Sequence, residues 1–487
     1  MNCGDLQFAV GDRREGWGRT VWSGFRRKSQ IVSRKSRGWF GAFPPLLVFF
    51  SGILANAQQR FPPPDFESGH QIPATSMPPA RAFLFQYLDV IVLASCLVFA
   101  SWLVYRKRSR KGLIGLSLFS LVYFGFWRKG CMCSIGSLQN VSLALFDSGY
   151  AVPASVLGFF VLPLAVALFF GRTFCAGVCP HGALQDLVLL RPIKVPAWLE
   201  QGLSILPFIY LGAGVLFAAT GSAFIICEYD PFVPVFRMSG RMLMVLSGVA
   251  LLVLGTVVGR PYCRFLCPYG ALLKLGAMVA RWRVRVTPDY CTQCRLCEAA
   301  CPFGAMREPQ SVEADPVVLA KGRKHLAVLL VLLPFLIAGG GAVGAKFSAT
   351  AARLHPTVAL ADRLVREKDA PSKAGVLSPD DLALERARQH PEELPDEAEI
   401  IRHKFAIGSL VFGAWIGAVV GLKLTSLALQ RRRVDYEPER GDCFACARCF
   451  EFCPNELARH GIQAVAVSVP GGASADKLEP AVEQCAK

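Results

Sequence analysis

Seven stretches of this chain run for close to twenty residues with almost no charge, and that pattern limits the fold more than any other feature. They cover residues 84–105, 112–127, 151–170, 203–226, 242–259, 326–345 and 405–429. The hydrocarbon core of a bilayer is about 30 Å thick and takes about 20 apolar helical residues to cross. Inside it, every backbone polar group must be satisfied within the protein. Only 18% of the 487 residues are charged and 53% are hydrophobic. The expectation is an α-helical polytopic membrane protein with about seven transmembrane helices, the second being short.

Ahead of these spans, FRRKSQIVSRKSRG, PPLLVFFSGIL and the small-residue ANA read as the basic, apolar and cleavage regions of a signal peptide over residues 1–57, with an uncleaved anchor as the alternative. The Pro-rich segment 58–83 is then extended and periplasmic. Lys- and Arg-rich loops mark the cytoplasmic side, and 106–111, 281–285, 321–324 and 431–433 all fall on one face. Loop 347–402, with 11 acidic and 8 basic residues, falls on the other. The net charge of +17 therefore carries topology, and nucleic acid is not an expected partner. The expected location is the bacterial cytoplasmic (inner) membrane.

The Cys residues, 18 in all, carry the chemistry. CxxCxxCxxxCP occurs at 291–302 and again at 443–454. This spacing lets one short loop wrap a [4Fe–4S] cluster with three thiolates, while the fourth Cys, before Pro, serves the other cluster in two-cluster ferredoxins. Zinc sites more often pair two CxxC units across a longer spacer, and a disulfide framework suits an oxidising compartment. Two spans separate the copies, so both loops return to the reducing side. Domains follow: a five-helix membrane core over 84–280, a first ferredoxin half over 281–324, a transmembrane hairpin over 325–430, and a second half with the tail over 431–487. The halves are expected to form a split cytoplasmic α+β two-cluster module. Cys291, Cys294, Cys297 and Cys453 would hold one [4Fe–4S] cluster, and Cys443, Cys446, Cys449 and Cys301 the other.

A second repeat matches GRTFCAGVCPHGALQDL (171–187) to GRPYCRFLCPYGALLKL (259–275). It places Cys175, Cys179, Cys263 and Cys267 at the cytoplasmic membrane boundary. Two readings stay open: a duplicated structural corner with Cys as a small buried hydrophobe, or four thiols that bind a metal or line the point of electron entry. A weaker, inverted copy, RKGCMCSIGSLQN (128–140), puts Cys131 and Cys133 at the periplasmic boundary, where Cys227 joins them. These three suit a cofactor pocket, a disulfide with a spare thiol, or no site at all. Because 30 Å is too wide for one electron step, the first four thiols are expected to serve an inner station and the last three an outer one, with quinone as a further candidate carrier. His181 and His403 lie near span ends and read as solvated. Cys3, Cys96 and Cys485 look incidental. No nucleotide-binding GxGxxG follows a strand-like run and no hydrolase triad is found, so no catalytic residue is assigned, and the chain reads as an electron-transfer component rather than a stand-alone enzyme.

RKGCMCSIGSLQN, FCAGVCPHGAL, ICEYDPFVP, YCRFLCPYGAL and the two ferredoxin loops together resemble the NosR/NirI polyferredoxins over residues 84–460. NapH-type and CcoG-like membrane ferredoxins share part of the set. The resemblance implies electron transfer between the quinone pool, or a cytoplasmic donor, and a periplasmic flavoprotein or metalloenzyme of the nitrous-oxide-reductase kind. The alternative it implies is a CcoG-like redox sensor or metal-reducing assembly factor. In that family FMN sits on an N-terminal periplasmic domain, on the Thr of an SGAT-like motif. Here the nearest strings, FSATA and IPATS, lack the Gly and a surrounding domain. FMN is therefore not expected on this chain, and a separate flavoprotein would take its place.

Overall fold

Backbone groups that cannot reach water must bond to one another, and the apolar runs accordingly become helices. The computed structural model describes residues 83–130, 133–286, 291, 293–309, 316–369, 393–429 and 433–459. Among the described residues, four helices are long and apolar enough to cross a membrane: Leu84–Lys107, Ala197–Ala219, Lys321–Ala352 and Leu394–Ala428. Two further apolar helices, Ala154–Phe170 and Met242–Gly255, are shorter. The remaining expected span is α-helical over Arg110–Ser120 and continues as a π turn over Leu121–Trp127.

In chain order the elements used below are α1 (Phe83–Trp102), α2 (Arg110–Ser120), α3 (Ser134–Phe146), α4 (Ala154–Phe170), α5 (Thr173–Gly177) and α6 (Pro180–Val188). They continue with α7 (Leu206–Ala219), α8 (Met242–Gly255), α9 (Pro261–Phe265), α10 (Pro268–Met278), α11 (Leu296–Ala300), α12 (Pro316–Ala352), α13 (Pro356–Asp369) and α14 (Glu393–Ala428). The last is α15 (Pro454–Arg459).

The helices α12 and α14 form a hairpin whose backbones touch. A Cβ on Gly413 would run into the Gly340 carbonyl oxygen, and one on Gly344 into that of Ser409. Small residues of this kind let membrane helices approach closely enough for extensive van der Waals contact. Trp415 ties the hairpin to the rest by donating its indole N–H to the Phe208 carbonyl at 2.8 Å.

Two corners shape the centre. α4 stops at Gly171, whose φ of 64° is one that Gly adopts without a Cβ penalty. The adjacent Phe170 carbonyl accepts a hydrogen bond from Tyr105 Oη, just beyond α1, at 2.8 Å. The chain then runs back alongside α2. Ser120 Oγ donates to the Gly177 carbonyl at 3.1 Å, and Pro180 lies against Gly125. α6 returns, bringing Asp186 to Arg110 at the start of α2, 3.2 Å away. From residue 110 to 125 the chain climbs on the order of 20 Å at helical rise, so Cys179 lies well in from the mouth of the corner. α9 and α10 repeat this path, with Lys274 on the returning helix.

The break within each corner is set by Pro180 and Pro268. A ring without an N–H ends the preceding turn but starts a helix readily. Gly182 and Gly270 then pack against the carbonyls of Cys175 and Cys263, at 3.0 and 3.3 Å from where a Cβ would sit. The sequence placed these Cys pairs at a membrane boundary. The structure buries all four within the protein, with exposures of 6–8%.

Candidate metal centres

The two ferredoxin loops share one backbone. In the first, Gln293 and Arg295 flank the second Cys with φ of 53° and 62°. In the second, Ala445 and Ala447 do so with 53° and 61°. Left-handed residues that are not Gly cost roughly 1–2 kcal/mol each. The same four positions nonetheless bend the chain into the concave run of N–H groups that suits an anionic iron–sulfur core. The Ala445 N–H already points at Cys443 Sγ, 3.4 Å away. Each third Cys, Cys297 or Cys449, then lies on a short helical turn, α11 or the 3₁₀ turn Arg448–Phe452, and these two turns pack together. β1 (Met306–Arg307) pairs antiparallel with β2 (Glu437–Pro438), Met306 opposite Pro438. The loops therefore meet although α12 and α14 separate them in sequence.

Their nearest thiol neighbours sort the cysteines into two sets. Cys453 and Cys297 share a small core with Val286, Met306 and Tyr436, against which Cys291 packs. The thiol of Cys453 is an electrostatic neighbour of Cys294 and Cys291. Cys301, Cys443, Cys446 and Cys449 pack against the main core, Cys301 and Cys449 touching the small core as well, and Cys443, Cys446 and Cys449 all have Cys301 as an electrostatic neighbour. Among the described residues, no three His, Cys, Asp or Glu side chains converge as ligands of a single metal ion do. The fit to a multi-iron core therefore rests on the loop backbones and on these two sets. Asp442 anchors the second loop. Burial alone would raise its pKa, yet Lys274 at 2.6 Å, with Arg307 and Arg172 beyond, holds the carboxyl below the ordinary carboxylate range.

The corners bring the four expected thiols together. Cys179 has Cys263 and Cys175 as electrostatic neighbours, and Cys267 has Cys263, Cys179 and Cys175. Two of the sulfurs accept hydrogen bonds: Cys267 from the Gly270 N–H and Cys263 from Gln185 Nε2, each at 3.2 Å. Gln185 also accepts from the Tyr262 N–H at 3.0 Å and so stitches the first corner to the second. Gln185, Arg172 and Arg260 are functional candidates that sequence reasoning passed over. The signal was present, because Arg occupies the same place in both copies of GRxxC.

At the opposite end of the corners, Cys133 precedes α3 and has Cys227 as an electrostatic neighbour. Cys131 lies outside the described residues. Cys133 and Cys227 are free thiols beside a cavity of about 140 Å³ also lined by Asn140, Phe159, Asp230 and Arg237. Cys133 is also an electrostatic neighbour of Cys179, which brings the expected outer station close to the inner one. His181, expected to be solvated, is 1% exposed. Phe232, Phe236 and Tyr262 enclose its ring, and its Nε2 lies 3.2 Å from Asp230 Oδ2, to which Tyr262 Oη donates at 3.1 Å. Its neighbours come from segments dozens of residues away, which local sequence does not reveal. His403 lies within α14.

Comparison with known proteins gives these sites relatives. A family described as a 4Fe–4S binding domain matches residues 152–197 and again 241–287, one corner in each. A second 4Fe–4S binding domain family matches residues 283–306, the first ferredoxin loop. The chain is 37% identical to protein NirI of Paracoccus denitrificans over 179 residues, 33% of this chain and 26% of NirI. It is 29% identical to regulatory protein NosR of Pseudomonas aeruginosa over 244 residues, 46% of this chain and 34% of NosR. YccM of Escherichia coli, whose name assigns it provisionally to electron transport, is 23% identical over 233 residues, 41% of this chain and 65% of that protein. The chain thus spans from about a quarter to just under two thirds of the length of these relatives. No solved structure matches it.

Proposed function

We propose that the chain is a membrane iron–sulfur protein of the NosR/NirI type that conducts electrons between the quinone pool or a cytoplasmic donor and a periplasmic redox partner. The observation that carries this reading is the exchange of one thiol between the loops, Cys453 neighbouring Cys291 and Cys294 while Cys301 neighbours Cys443, Cys446 and Cys449. On this reading Cys291, Cys294, Cys297 and Cys453 hold one [4Fe–4S] cluster, and Cys301, Cys443, Cys446 and Cys449 hold the other. Such clusters supply one-electron carriers whose potential the protein sets through charge, hydrogen bonds and burial.

The chain's own residues position these carriers. The first loop exposes Gln293, Arg295 and Ala299, so a donor can approach it, whereas residues 441–450 have no exposed member. The second loop therefore faces the corners, where Cys175, Cys179, Cys263 and Cys267 form the inner station, within a stretch matched to a 4Fe–4S binding family. Cys133 and Cys227, beside their cavity, form the outer station, and the apolar wall at Phe159 with the carboxylate of Asp230 suits a quinone headgroup or the approach of a partner. Seven crossings, with both loops on the Lys- and Arg-rich cytoplasmic side of the inner membrane and loop 347–402 in the periplasm, complete the arrangement. The partner is a periplasmic flavoprotein or metalloenzyme.

Iron and acid-labile sulfide in anaerobically purified protein should reach at least eight of each per chain, since two full ligand sets are present. About four of each would overturn the reading. Cys453→Ser should damage the cluster of the 291–297 loop despite the distance in sequence. Loss confined to the 443–449 loop would show instead that each loop keeps its own four thiols.

A further inference from the structure

Two arginines hold equivalent positions in the corner repeat, and each crosses into the other copy. Arg172, at the first corner, lies 3.3 Å from the Cβ position of Gly270 in the second and donates to the Gly441 carbonyl at 3.3 Å. Arg260, at the second, donates to the Cys175 carbonyl of the first and forms a two-point ion pair with Asp186 at 2.8 and 2.7 Å. Their guanidinium carbons lie 3.9 and 5.4 Å from the ring of Phe444, the residue after Cys443. Arg110 adds a third cation by donating to the Cys446 carbonyl at 3.1 Å. Both crossing arginines are buried, at 4% and 0% exposure.

The charges do not cancel. Asp186 is shared by Arg260 and Arg110, and Asp442 is engaged by Lys274 and Arg307. Arg172 has no ion pair of its own among the described residues. A buried cation without a partnered anion is costly, and an anionic cluster within the adjacent loop offsets that cost. The first loop differs. Its own Arg295 is exposed, where solvent and salt screen it.

We propose that Arg172 and Arg260 hold the cluster of Cys301, Cys443, Cys446 and Cys449 at a higher reduction potential than the cluster of Cys291, Cys294, Cys297 and Cys453. The proposal rests on the two loops being cluster sites. Reduction adds one negative charge. Burial alone disfavours that charge, and a fixed cation in low dielectric favours it; with guanidinium groups against the second loop, the cations prevail. One electron entering at the exposed loop then passes inward, the first cluster being oxidised by one electron and the second reduced by one, with no proton moved. Arg172 and Arg260 are positioning residues that set this order.

The test is an anaerobic titration of the full-length protein with dithionite, followed by electron paramagnetic resonance, with Cys453→Ser used to identify the first-loop signal. Arg172→Gln should lower only the second-loop midpoint, by at least tenfold in reduced-to-oxidised ratio, about 59 mV for one electron. Arg172→Lys, which keeps the charge, should restore most of the shift. Asp186→Asn removes the carboxylate shared by Arg260 and Arg110 and should move the same midpoint upward, so the idea stays testable even if Arg172→Gln fails to assemble. Two wild-type cluster signals with midpoints that none of these variants move would overturn this proposal alone. A wild type without two such signals would instead sink the cluster reading beneath it.

Discussion

His181, Asp230 and Tyr262 meet in a space closed to water, and Asp230 is the member the other two depend on. A hydrogen bond to a charged group typically contributes about 1.5–3 kcal/mol, so Tyr262→Phe should lower stability by an amount in the lower part of that range. Asp230→Ala leaves His181 and the Tyr262 hydroxyl without their shared acceptor, and about 3 kcal/mol or more is expected, as for other broken buried charge networks. Thermal unfolding of the detergent-purified protein checks both, and equal losses would mean that Asp230 does not organise the group. The triangle was not legible in the sequence because its members lie in three separate segments. The ferredoxin loops were legible, since twelve consecutive residues contain both the ligand spacing and the turn geometry. Arg172 and Arg260 fall between these cases: their equivalence is visible in the repeat, but their exchange across it appears only in three dimensions.

At the scale of elements, the α12–α14 hairpin depends on the absence of side chains. Gly413→Leu would drive a side chain into the Gly340 backbone, and overpacking of this kind costs about 1–3 kcal/mol or more. Gly339, one residue from Gly340, has nothing within 4 Å of its Cβ position. Gly339→Leu should therefore leave the melting temperature nearly unchanged while Gly413→Leu lowers it by several degrees. Equal effects would show that backbone contact is not what joins the helices. Long apolar segments announce themselves as helices without tertiary information. The corners did not, because α5 and α9 are only five residues each, too short to show a periodic apolar face. The Pro and Gly of each copy signalled a bend, but not that the chain would double back inward.

At the scale of the whole molecule, one core runs from the second ferredoxin loop through both corners to α1, uniting Phe444 and Phe450 with Cys175, Cys179, Cys263, Cys267 and Leu93. The outside of the helices is apolar in turn: Leu84, Val98, Trp127 and Val253 are among many exposed hydrophobic side chains, as a lipid-facing surface requires. Within such a molecule the inward course of the corners acquires an electrical meaning. A charge moved through the whole membrane voltage gains or loses about 2.3 kcal/mol per 100 mV, and a centre held part-way down gains or loses part of that. If the four buried thiols lie part-way across, an electron arriving from the side of the ferredoxin loops gains a corresponding part of that energy when that side is negative. In proteoliposomes under an imposed diffusion potential, the reduced fraction of that inner centre should rise when the side bearing the ferredoxin loops is made negative and fall when the polarity is reversed. No response in either direction would place the thiols outside the field. A response of the expected sign would make the protein a voltage-dependent conductor, one whose inner centre becomes harder to reduce whenever the membrane loses its charge.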